Sequence, residues 1–447
     1  PDCFGFSWAL PQIIRRSGMR HFITAKLNNQ DTNRFPHSLF KWQGNDGSTI
    51  TAYVMREAYN GEYTPEYIDR IWNDFDQKEN LQTVLGMYGY GDGGGGPTYG
   101  MIERGKRLKA FPGLPASEIG RAEDFFRETD TCRDDLPVWN DEMYYENHRG
   151  TYTSQARTKR NNRKGEFLLR NTEMASTMAT AECGFEYPAA GLESAWKTLL
   201  LNQFHDILPG TSIPAVFEDC DADYASLFKL SRRLWHSAMA AFSDGARTDA
   251  NDIVVWNFLS WEVSSIAKIG VDGRNAVSVV DTMGNTVPSS VSTQNGRSEL
   301  VFLATVPSMG YSIYRMQAAP PEDAEVVVAT PDRLENTHLR ITLDTDGLIT
   351  SIWDKESKRE VITQGEKGNL LQVFRDTPGH ESSWNLQLHY QHKFWNLDSA
   401  VSIEVVESSA TQGVIRVVRQ YNKSTITQDI KLVRDSKRID FETRVDW

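Results

Sequence analysis

Residues 203–211 read QFHDILPGT and interrupt a long region of helical character. On both sides of this motif, apolar residues recur at helical spacing with charged residues between them, over residues 156–181, 192–204 and 215–242. Pro188 separates the first two segments, and the Pro-Gly pair inside the quoted motif separates the last two. The spacing therefore predicts a three-helix bundle.

The regions before and after the bundle have different patterns. Before it, short apolar runs alternate with turn signals, which predicts a parallel α/β sheet with strands at residues 21–24, 49–54 and 83–87 and helices at residues 10–17 and 64–77. After it, short β-rich runs with polar turns predict β-sandwich domains, and Asp346-Gly347 marks a hairpin. The predicted fold class is multi-domain, with an α/β domain at residues 1–118, a three-helix bundle as the middle domain at residues 119–245 and β-sandwich domains at residues 246–447.

Composition excludes several classes of partner. The 447 residues carry a formal net charge of -12, which argues against nucleic acid or an anionic membrane as the main partner. A basic run at residues 157–164 is the local exception, and a solvated helix face explains it. No apolar run approaches the roughly 20 residues of a membrane helix. The cysteines lie far apart without a CxxC pair, which argues against a cysteine zinc site and fits a reducing compartment: Cys3, Cys132, Cys183 and Cys220.

The quoted motif also carries the strongest local signal for chemistry. His205 beside Asp206, at the end of an amphipathic helix, can present both side chains past the helix end. Imidazole suits zinc, and a neighbouring carboxylate can orient the imidazole or bind the ligand. From spacing alone, a capped helix end with a packed or solvated histidine is the more frequent explanation. His389 and His392 have HxxH spacing, but their polar-aromatic surroundings predict a surface loop.

A glycine-rich motif, YGDGGGGPT at residues 90–98, follows the apolar run at residues 83–87. Four glycines after Asp92 leave the backbone bare and allow a ligand to approach closely. Ligand sites of α/β sheets lie in loops of this kind, after a strand. A flexible turn is the alternative explanation.

Two further motifs are polar and allow two interpretations each. DCFG, residues 2–5, is typical of a strand end that turns into a helix, and Asp2 is then either a functional carboxylate or a residue near a helix start. HRGTYTSQ, residues 148–155, follows Glu142 and Glu146. It is either a loop that hydrogen-bonds a sugar or the N-cap of the next helix.

Taken together, these motifs resemble segments of the α-mannosidases of glycoside hydrolase family 38. The resemblance covers nearly the whole chain, with the α/β, helical and β regions in the same order, and it is closest to the cytosolic and bacterial branch. It implies an α/β domain of the seven-stranded barrel or sheet type, truncated in this chain. It also implies a zinc-dependent retaining α-mannosidase that hydrolyses terminal α-mannosides of oligosaccharides or glycans in the cytoplasm.

The family's motifs can be carried over position by position. Asp2 matches the catalytic nucleophile, which in this family also binds the zinc, and His205 matches a second zinc ligand. Asp92 falls where the general acid/base lies, and Glu142 and Glu146 are reserve candidates for that role. The substrate-binding positions of the family match Phe4, Lys26, His148 and Asp206.

One departure from the family pattern concerns the metal. The first two zinc ligands of the family come from a His-x-Asp motif upstream of the nucleophile, and this chain has no His-x-Asp. Asp2 and His205 alone are too few ligands for a stable zinc site, or for cobalt in its place. We therefore expect a fragment, truncated N-terminally and incomplete at its C-terminus, that is inactive alone although its full-length parent is active.

The resemblance also implies a mechanism. Asp2 would attack the anomeric carbon and form a mannosyl-enzyme, while Asp92 would protonate the departing oxygen and then deprotonate the water that releases mannose. Two alternatives stay open: a non-catalytic carbohydrate-binding protein on the same fold, and a metal-free hydrolase that uses Asp92 and a glutamate. The expected partner is the oligosaccharide substrate, and homo-oligomerisation is left open.

Overall fold

The computed structural model describes residues 2–28, 30–91, 93–245, 249, 251–271, 277–294, 297–319, 326–379 and 381–447. The chain divides into two compact units. Unit 1 comprises Pro1–Ala156, Pro209–Thr211 and Pro378–Gln387, and unit 2 comprises Arg157–Leu208, Ser212–Thr377 and Leu388–Trp447. Among the described residues, no helix has both the length and the apolar character needed to cross a bilayer.

Unit 1 contains a four-stranded mixed sheet with the strands β1 His21–Thr24, β2 Leu39–Gln43, β3 Thr49–Val54 and β4 Val138–Trp139. The strand order is β1-β3-β2-β4. β1 pairs with β3 and β2 with β4 in parallel, whereas β2 and β3 are antiparallel. The predicted strands β1 and β3 are confirmed, but the prediction of an all-parallel sheet is wrong. A tight turn at Gly47, which has a φ of +84°, joins β2 to β3 as a hairpin.

Apolar side chains cover both faces of this sheet. Phe22, Trp42 and Ala52 belong to a core on one face, whereas Leu39 and Tyr53 belong to a core on the other face. This alternation follows from the period of two along a strand. Helices flank the sheet and supply further core residues: α1 Leu10–Arg16, α2 Pro65–Asn73, α3 Tyr99–Leu108 and α4 Ala122–Thr129. The arrangement is that of an α/β layer.

The predicted strand at residues 83–87 is wrong, since the structure has no strand there. The hydroxyl of Tyr53 donates to the carbonyl oxygen of Leu85 at 2.8 Å, and the hydroxyl of Tyr67 donates to that of Met87 at 2.6 Å. Side chains thus satisfy backbone oxygens that a sheet partner would otherwise bind. A single bridge between Gly61 and Tyr88 is the extended pairing that the described structure gives here.

The helical region is a three-helix bundle, as predicted, with α5 Ala156–Cys183, α6 Ala189–Leu201 and α7 Pro214–Gly245. All three helices contribute to one core, in which Leu169 of α5 meets Leu199 of α6 and Leu227 of α7. Gly165 permits this close approach, because a Cβ atom there would lie 2.8 Å from Leu199 Cδ1. The apolar periodicity in the sequence therefore predicted the helices, whereas the buried residues of α5 are mostly small or polar, such as Thr172 and Ala175, and its Phe167 is exposed.

The remainder of unit 2 is built from antiparallel sheets that pack in pairs. In the first pair, the sheets β5-β11-β7-β8 and β6-β10-β9 share one core and have the strands β5 Asp252–Asn257, β6 Val263–Gly270, β7 Ser278–Asp281, β8 Thr286–Val287, β9 Ser289–Gln294, β10 Arg297–Val306 and β11 Gly310–Gln317.

In the second pair, the sheets β12-β13-β14-β15-β16 and β19-β20-β21-β22 share another core, and β17 and β18 form a separate hairpin. Their strands are β12 Val328–Thr330, β13 Arg333–Glu335, β14 Leu339–Leu343, β15 Ile349–Asp354, β16 Arg359–Glu360, β17 Leu371–Phe374, β18 Phe394–Leu397, β19 Ser402–Ser408, β20 Gln412–Tyr421, β21 Ser424–Val433 and β22 Ile439–Asp446. The Asp346-Gly347 hairpin between β14 and β15 is confirmed, with a φ of +70° at Gly347.

Candidate functional site

The N-terminal segment is held against residues 143–145 by a two-residue bridge. The amide of Phe6 donates to the carbonyl oxygen of Met143, and the amide of Met143 donates to that of Phe6, both at 2.9 Å. Gly5 has a φ of +108°, a conformation that side chains disfavour, and a Cβ atom there would lie 3.5 Å from the amide nitrogen of Tyr145. The bridge and the glycine together fix where Asp2 and Phe4 lie.

Lys26 lies just beyond the C-terminal end of β1 and pairs with the predicted nucleophile. Its Nζ atom is 2.8 Å from Oδ1 of Asp2, whose side chain is 63% exposed. The loop is fixed by Tyr59, whose hydroxyl accepts a hydrogen bond from the amide of Ala25 at 3.0 Å. The structure thus brings together two side chains that the sequence separates by more than twenty positions, at the edge where α/β sheets present their functional groups.

Phe4 lies between two other predicted site residues. The imidazole of His148 stacks on the Phe4 ring with a centroid separation of 3.9 Å and an interplanar angle of 9°. The ammonium group of Lys26 lies over the same ring, 4.8 Å from its centroid. Lys26 and His148 thus both contact the Phe4 ring. Tyr145 packs at an angle against Phe4 and His148, at 5.9 Å and 5.0 Å.

His148 lies in the 3-10 segment Glu146–Tyr152, which is anchored at its first residue. The Glu146 carboxylate is 5% exposed and accepts hydrogen bonds from the amide of Thr32 at 2.7 Å, from its hydroxyl at 3.0 Å and from Nδ2 of Asn33 at 2.5 Å. In return, the amide of Glu146 donates to Oε1 of Gln30 at 2.6 Å. This clamp holds the segment that carries His148.

Burial is the main reason that the pKa of His148 is lowered from its ordinary value, and the positive charge of Lys26 adds to the effect. The negative charge of Glu381 opposes it. Among the described residues, none forms a hydrogen bond of good geometry with the buried Nδ1 atom of His148, although an interaction with the backbone of Asn147 acts to raise the pKa. A neutral imidazole next to an aromatic ring, with a polar atom still to be satisfied, is suited to binding a sugar through both its apolar face and a hydroxyl.

The segment Pro378–Gln387, between β17 and β18, is the part of the site that the sequence did not predict. Its Trp384 carbonyl oxygen accepts from the amide of Gly150 at 2.9 Å, and its Leu386 carbonyl oxygen accepts from Nε of Arg149 at 2.7 Å. Nδ2 of Asn385 donates to Asp31, at 3.0 Å. The polar-aromatic stretch around Trp384 was the available signal, but its pattern predicted only a surface loop.

The three candidates for the general acid/base differ in their exposure and hydrogen bonding. Asp92 lies outside the described residues. Glu142 is exposed, whereas Glu146 forms the clamp described above. Burial would raise the pKa of Glu146, but the hydrogen bonds from Asn33 and Thr32 outweigh it, so that the pKa lies below its usual value. A general acid needs the opposite shift, which favours a structural role for Glu146.

His205 and Asp206 lie in unit 2, in the turns that follow α6. The His205 side chain is 72% exposed, and its Nε2 atom is 3.6 Å from Oδ2 of Asp206. The Phe204 ring packs against the imidazole at a centroid separation of 4.2 Å. Both polar side chains therefore extend past the helix end, as the sequence predicted, and the remaining described site residues, Asp2, Phe4, Lys26 and His148, lie in unit 1.

The donor set on the described residues does not fit a complete metal site. Among them, no group of three or more His, Cys, Asp and Glu side chains is arranged to hold a metal ion. The Asp2 carboxylate is engaged by Lys26, and His205 has one neighbouring carboxylate, that of Asp206. Structural zinc takes four ligands, and catalytic zinc takes three from the protein.

Three family models match consecutive parts of the chain. The Glycosyl hydrolases family 38 N-terminal domain matches residues 1–142, the Alpha mannosidase middle domain matches residues 146–242, and the Glycosyl hydrolases family 38 C-terminal domain matches residues 334–447. These correspond to N-terminal, helical middle and C-terminal sheet regions. The boundaries that we drew at residues 118 and 245 stay predictions.

Curated relatives match along the whole chain. α-Mannosidase 2C1 of Homo sapiens is 31% identical over 461 residues, which cover 100% of this chain and 42% of that protein. α-Mannosidase G of Dictyostelium discoideum is 31% identical over 492 residues, which cover 100% of this chain and 44% of that protein. The chain thus spans less than half the length of these relatives.

A crystal structure of an α-mannosidase from Enterococcus faecalis V583 is similar to this structure, with a TM-score of 0.72. The match covers 100% of this chain and 60% of that one, at 16% sequence identity. At this identity the likeness shows the fold alone.

Proposed function

This chain belongs to glycoside hydrolase family 38, and from that membership we infer that the protein hydrolyses terminal α-mannosides of oligosaccharides or glycans. The observation that carries the proposal is the cluster of Asp2, Lys26, Phe4 and His148. These residues come from three separate parts of the chain, they contact one another in the structure, and the motif resemblance assigns a site role to each of them. Relatives that bear the name α-mannosidase support the same reaction.

We propose a retaining mechanism in which Asp2 is the nucleophile. Its carboxylate attacks the anomeric carbon, the bond to the leaving oxygen breaks, and Asp92 gives that oxygen its proton. Water then attacks the mannosyl-enzyme, Asp92 accepts a proton from it, and Asp2 is released. Lys26 holds the Asp2 carboxylate in place at 2.8 Å. Phe4 and His148 are proposed to bind the sugar, and Asp206 matches a substrate-binding position of the family.

A metal requirement is part of the proposal for the whole protein. By the family resemblance, Asp2 and His205 would each be ligands of zinc, or of cobalt in its place, and the described residues hold no complete donor set. The chemical steps of the retaining mechanism are proposed for the side chains of Asp2 and Asp92. The remaining proposals from the family are a seven-stranded α/β architecture around the four described strands, a location in the cytoplasm and self-association.

The test compares the full-length protein with its Asp2→Ala variant on an aryl α-mannoside. We expect wild-type cleavage and a loss of at least about a thousandfold in kcat for the variant, as for removal of other catalytic nucleophiles. The exposed Asp69, in α2, provides a matched control, and Asp69→Ala should leave the rate unchanged. Proton NMR of the first mannose released should show the α anomer, since two displacements retain configuration.

Two results would contradict the proposal. Cleavage by Asp2→Ala at the wild-type rate would remove Asp2 from the mechanism, and release of β-mannose first would exclude retention. Binding of mannosides without any turnover by the wild-type protein would support the non-catalytic carbohydrate-binding alternative.

A further inference from the structure

The loop between β3 and α2, residues 57–62, is anchored on two sides. At its start, the hydroxyl of Tyr59 accepts a hydrogen bond from the amide of Ala25 at 3.0 Å, directly after β1. At its end, the carbonyl oxygen of Glu62 accepts a hydrogen bond from the guanidinium of Arg104, in α3, at 2.8 Å. The loop is therefore fixed relative to the end of β1, where the proposed catalytic cluster lies.

The start of the glycine-rich motif is attached to this loop. Gly61 forms a bridge with Tyr88, and its carbonyl oxygen accepts a hydrogen bond from the amide of Gly89 at 2.8 Å. Oδ1 of Asn60 accepts a hydrogen bond from the amide of Gly91 at 3.1 Å. A Cβ atom at Gly91 would lie 2.5 Å from that oxygen, so a side chain there would displace the amide group of Asn60. Two consecutive loop residues thus hold the chain as it enters the motif.

The glycine-rich motif is closed at its base by a second hydrogen bond. The amide of Tyr90 donates to the carbonyl oxygen of Gly96 at 3.0 Å. Gly95 permits this closure, because a Cβ atom there would lie 2.7 Å from the carbonyl oxygen of Tyr90. Among the described residues between these two ends, 91 and 93–95, the bond to Asn60 is the single hydrogen bond. The rest of this short loop is glycine backbone, which has wide conformational freedom.

We propose that Asn60 is a positioning residue for the acid/base step, and that it acts through the amide of Gly91. This inference rests on the proposed role of Asp92, which follows Gly91 directly in the sequence. A general acid must reach the departing oxygen within hydrogen-bond distance, and a misplacement of about 1 Å costs about a hundredfold in rate. Fixing Gly91 restricts the directions in which the backbone continues to Asp92.

The experiment compares kcat/KM for two substrates of the full-length protein. An α-linked mannobiose has an alkoxide leaving group that must be protonated, whereas dinitrophenyl α-mannoside releases a phenolate that leaves without a proton. Asn60→Ala should lower kcat/KM for the mannobiose about five- to tenfold, the effect of one hydrogen bond between exposed groups. The value for the dinitrophenyl mannoside should stay within about twofold, since kcat/KM reports the steps up to departure of the leaving group.

Two further variants make the comparison specific. Asn60→Asp keeps an acceptor oxygen at the same reach and should hold kcat/KM for the mannobiose within about twofold of the wild-type value. Asn73→Ala, at an exposed position of α2, is the matched control and should change neither substrate. Activity on the dinitrophenyl mannoside also reports that each variant is folded.

The outcomes separate this inference from the function on which it rests. Asp92→Ala should lower kcat/KM for the mannobiose by at least about a hundredfold and spare the dinitrophenyl mannoside; a variant that affects both alike, or neither, contradicts the acid/base role of Asp92. If Asp92→Ala behaves as expected, the role of Asn60 is overturned by an Asn60→Ala variant that lowers both substrates alike or neither. An Asn60→Asp variant as impaired on the mannobiose as Asn60→Ala overturns it as well.

Discussion

Replacing Glu146 distinguishes a structural carboxylate from a catalytic one. The side chain is 5% exposed and accepts hydrogen bonds from the amide and hydroxyl of Thr32 and from Nδ2 of Asn33. Glu146→Ala removes the acceptor, so that the amide and hydroxyl of Thr32 and the side-chain amide of Asn33 lose the carboxylate that binds them. We expect the N-terminal unit to lose stability while the active-site chemistry survives in molecules that remain folded.

The expected loss in the free energy of unfolding follows from the hydrogen bonds that Glu146 accepts. A hydrogen bond to a charged group contributes about 1.5–3 kcal/mol, and the bonds of one carboxylate do not add fully, so we expect about 3 kcal/mol for Glu146→Ala. Glu146→Gln keeps one acceptor oxygen but turns an amide group toward Asn33 and Thr32, which should cost about 2 kcal/mol. For a unit of this size, 3 kcal/mol corresponds to a fall in Tm of about 6–12 °C.

The assay is thermal unfolding by calorimetry, together with kcat on an aryl α-mannoside below the transition. Glu142→Gln, at an exposed position shortly before that segment, is the control and should shift Tm by less than about 1 °C. The pKa of folded Glu146 lies below its usual value, so its stabilisation is present above the unfolded pKa of about 4.3 and is lost as the pH falls through the folded pKa. The difference in Tm between the wild-type protein and Glu146→Ala should thus narrow below about pH 4.

The result that would refute this reasoning is an unchanged Tm with a large loss of kcat in Glu146→Gln. Glu146 would then be the general acid, and its hydrogen bonds with Thr32 and Asn33 would not provide the stability that we expect from them. A gap in Tm that widens as the pH falls would contradict the sign of the pKa shift.

Three further predictions concern packing and metal. Gly150→Ala should detach the turn that contains Trp384 and speed its cleavage by a protease, whereas Gly120→Ala, where nothing lies within 4 Å, should not. Gly165→Val should overpack the bundle and cost about 1–3 kcal/mol in calorimetry, while Thr177→Val, at an exposed position of α5, should cost less than about 0.5 kcal/mol. Dialysis of the full-length protein against a chelator should abolish cleavage of an aryl α-mannoside, and zinc or cobalt should restore it; activity that persists without metal would favour the metal-free hydrolase.

Local sequence patterns predicted the helices and strands whose apolar residues recur periodically or form short runs between turn signals. The helices of the bundle followed from apolar spacing, and the strands at residues 21–24 and 49–54 followed from short apolar runs between turn signals. Residues 83–87 are likewise a short apolar run, but the hydroxyls of Tyr53 and Tyr67 bind the carbonyl oxygens of Leu85 and Met87. Partners so distant in sequence cannot be predicted from the run itself. The hairpin before β3 was predictable, because Asp46-Gly47 lies between two apolar segments.

The candidate site was predictable only in part. Spacing gave no reason to join Asp2 to Lys26 or Phe4 to His148, and the family resemblance supplied that link. The resemblance gave no indication of the segment Pro378–Gln387, which is attached mainly through backbone oxygens, such as that of Trp384. Backbone acceptors have no residue-type signature, so no motif could have indicated this part of the site.

The path of the chain through Pro378–Gln387 limits how this protein can be recombined with its relatives. A chimera joined near residue 156 would take Arg149 and Gly150 from one parent and the turn that receives their hydrogen bonds from the other. Since the accepting groups are main-chain oxygens, the match between parents depends on the length and curvature of the β17–β18 connection more than on its side chains. Exchange of catalytic regions within the family should therefore succeed where both pieces travel together, and insertions or deletions in this connection should be tolerated least.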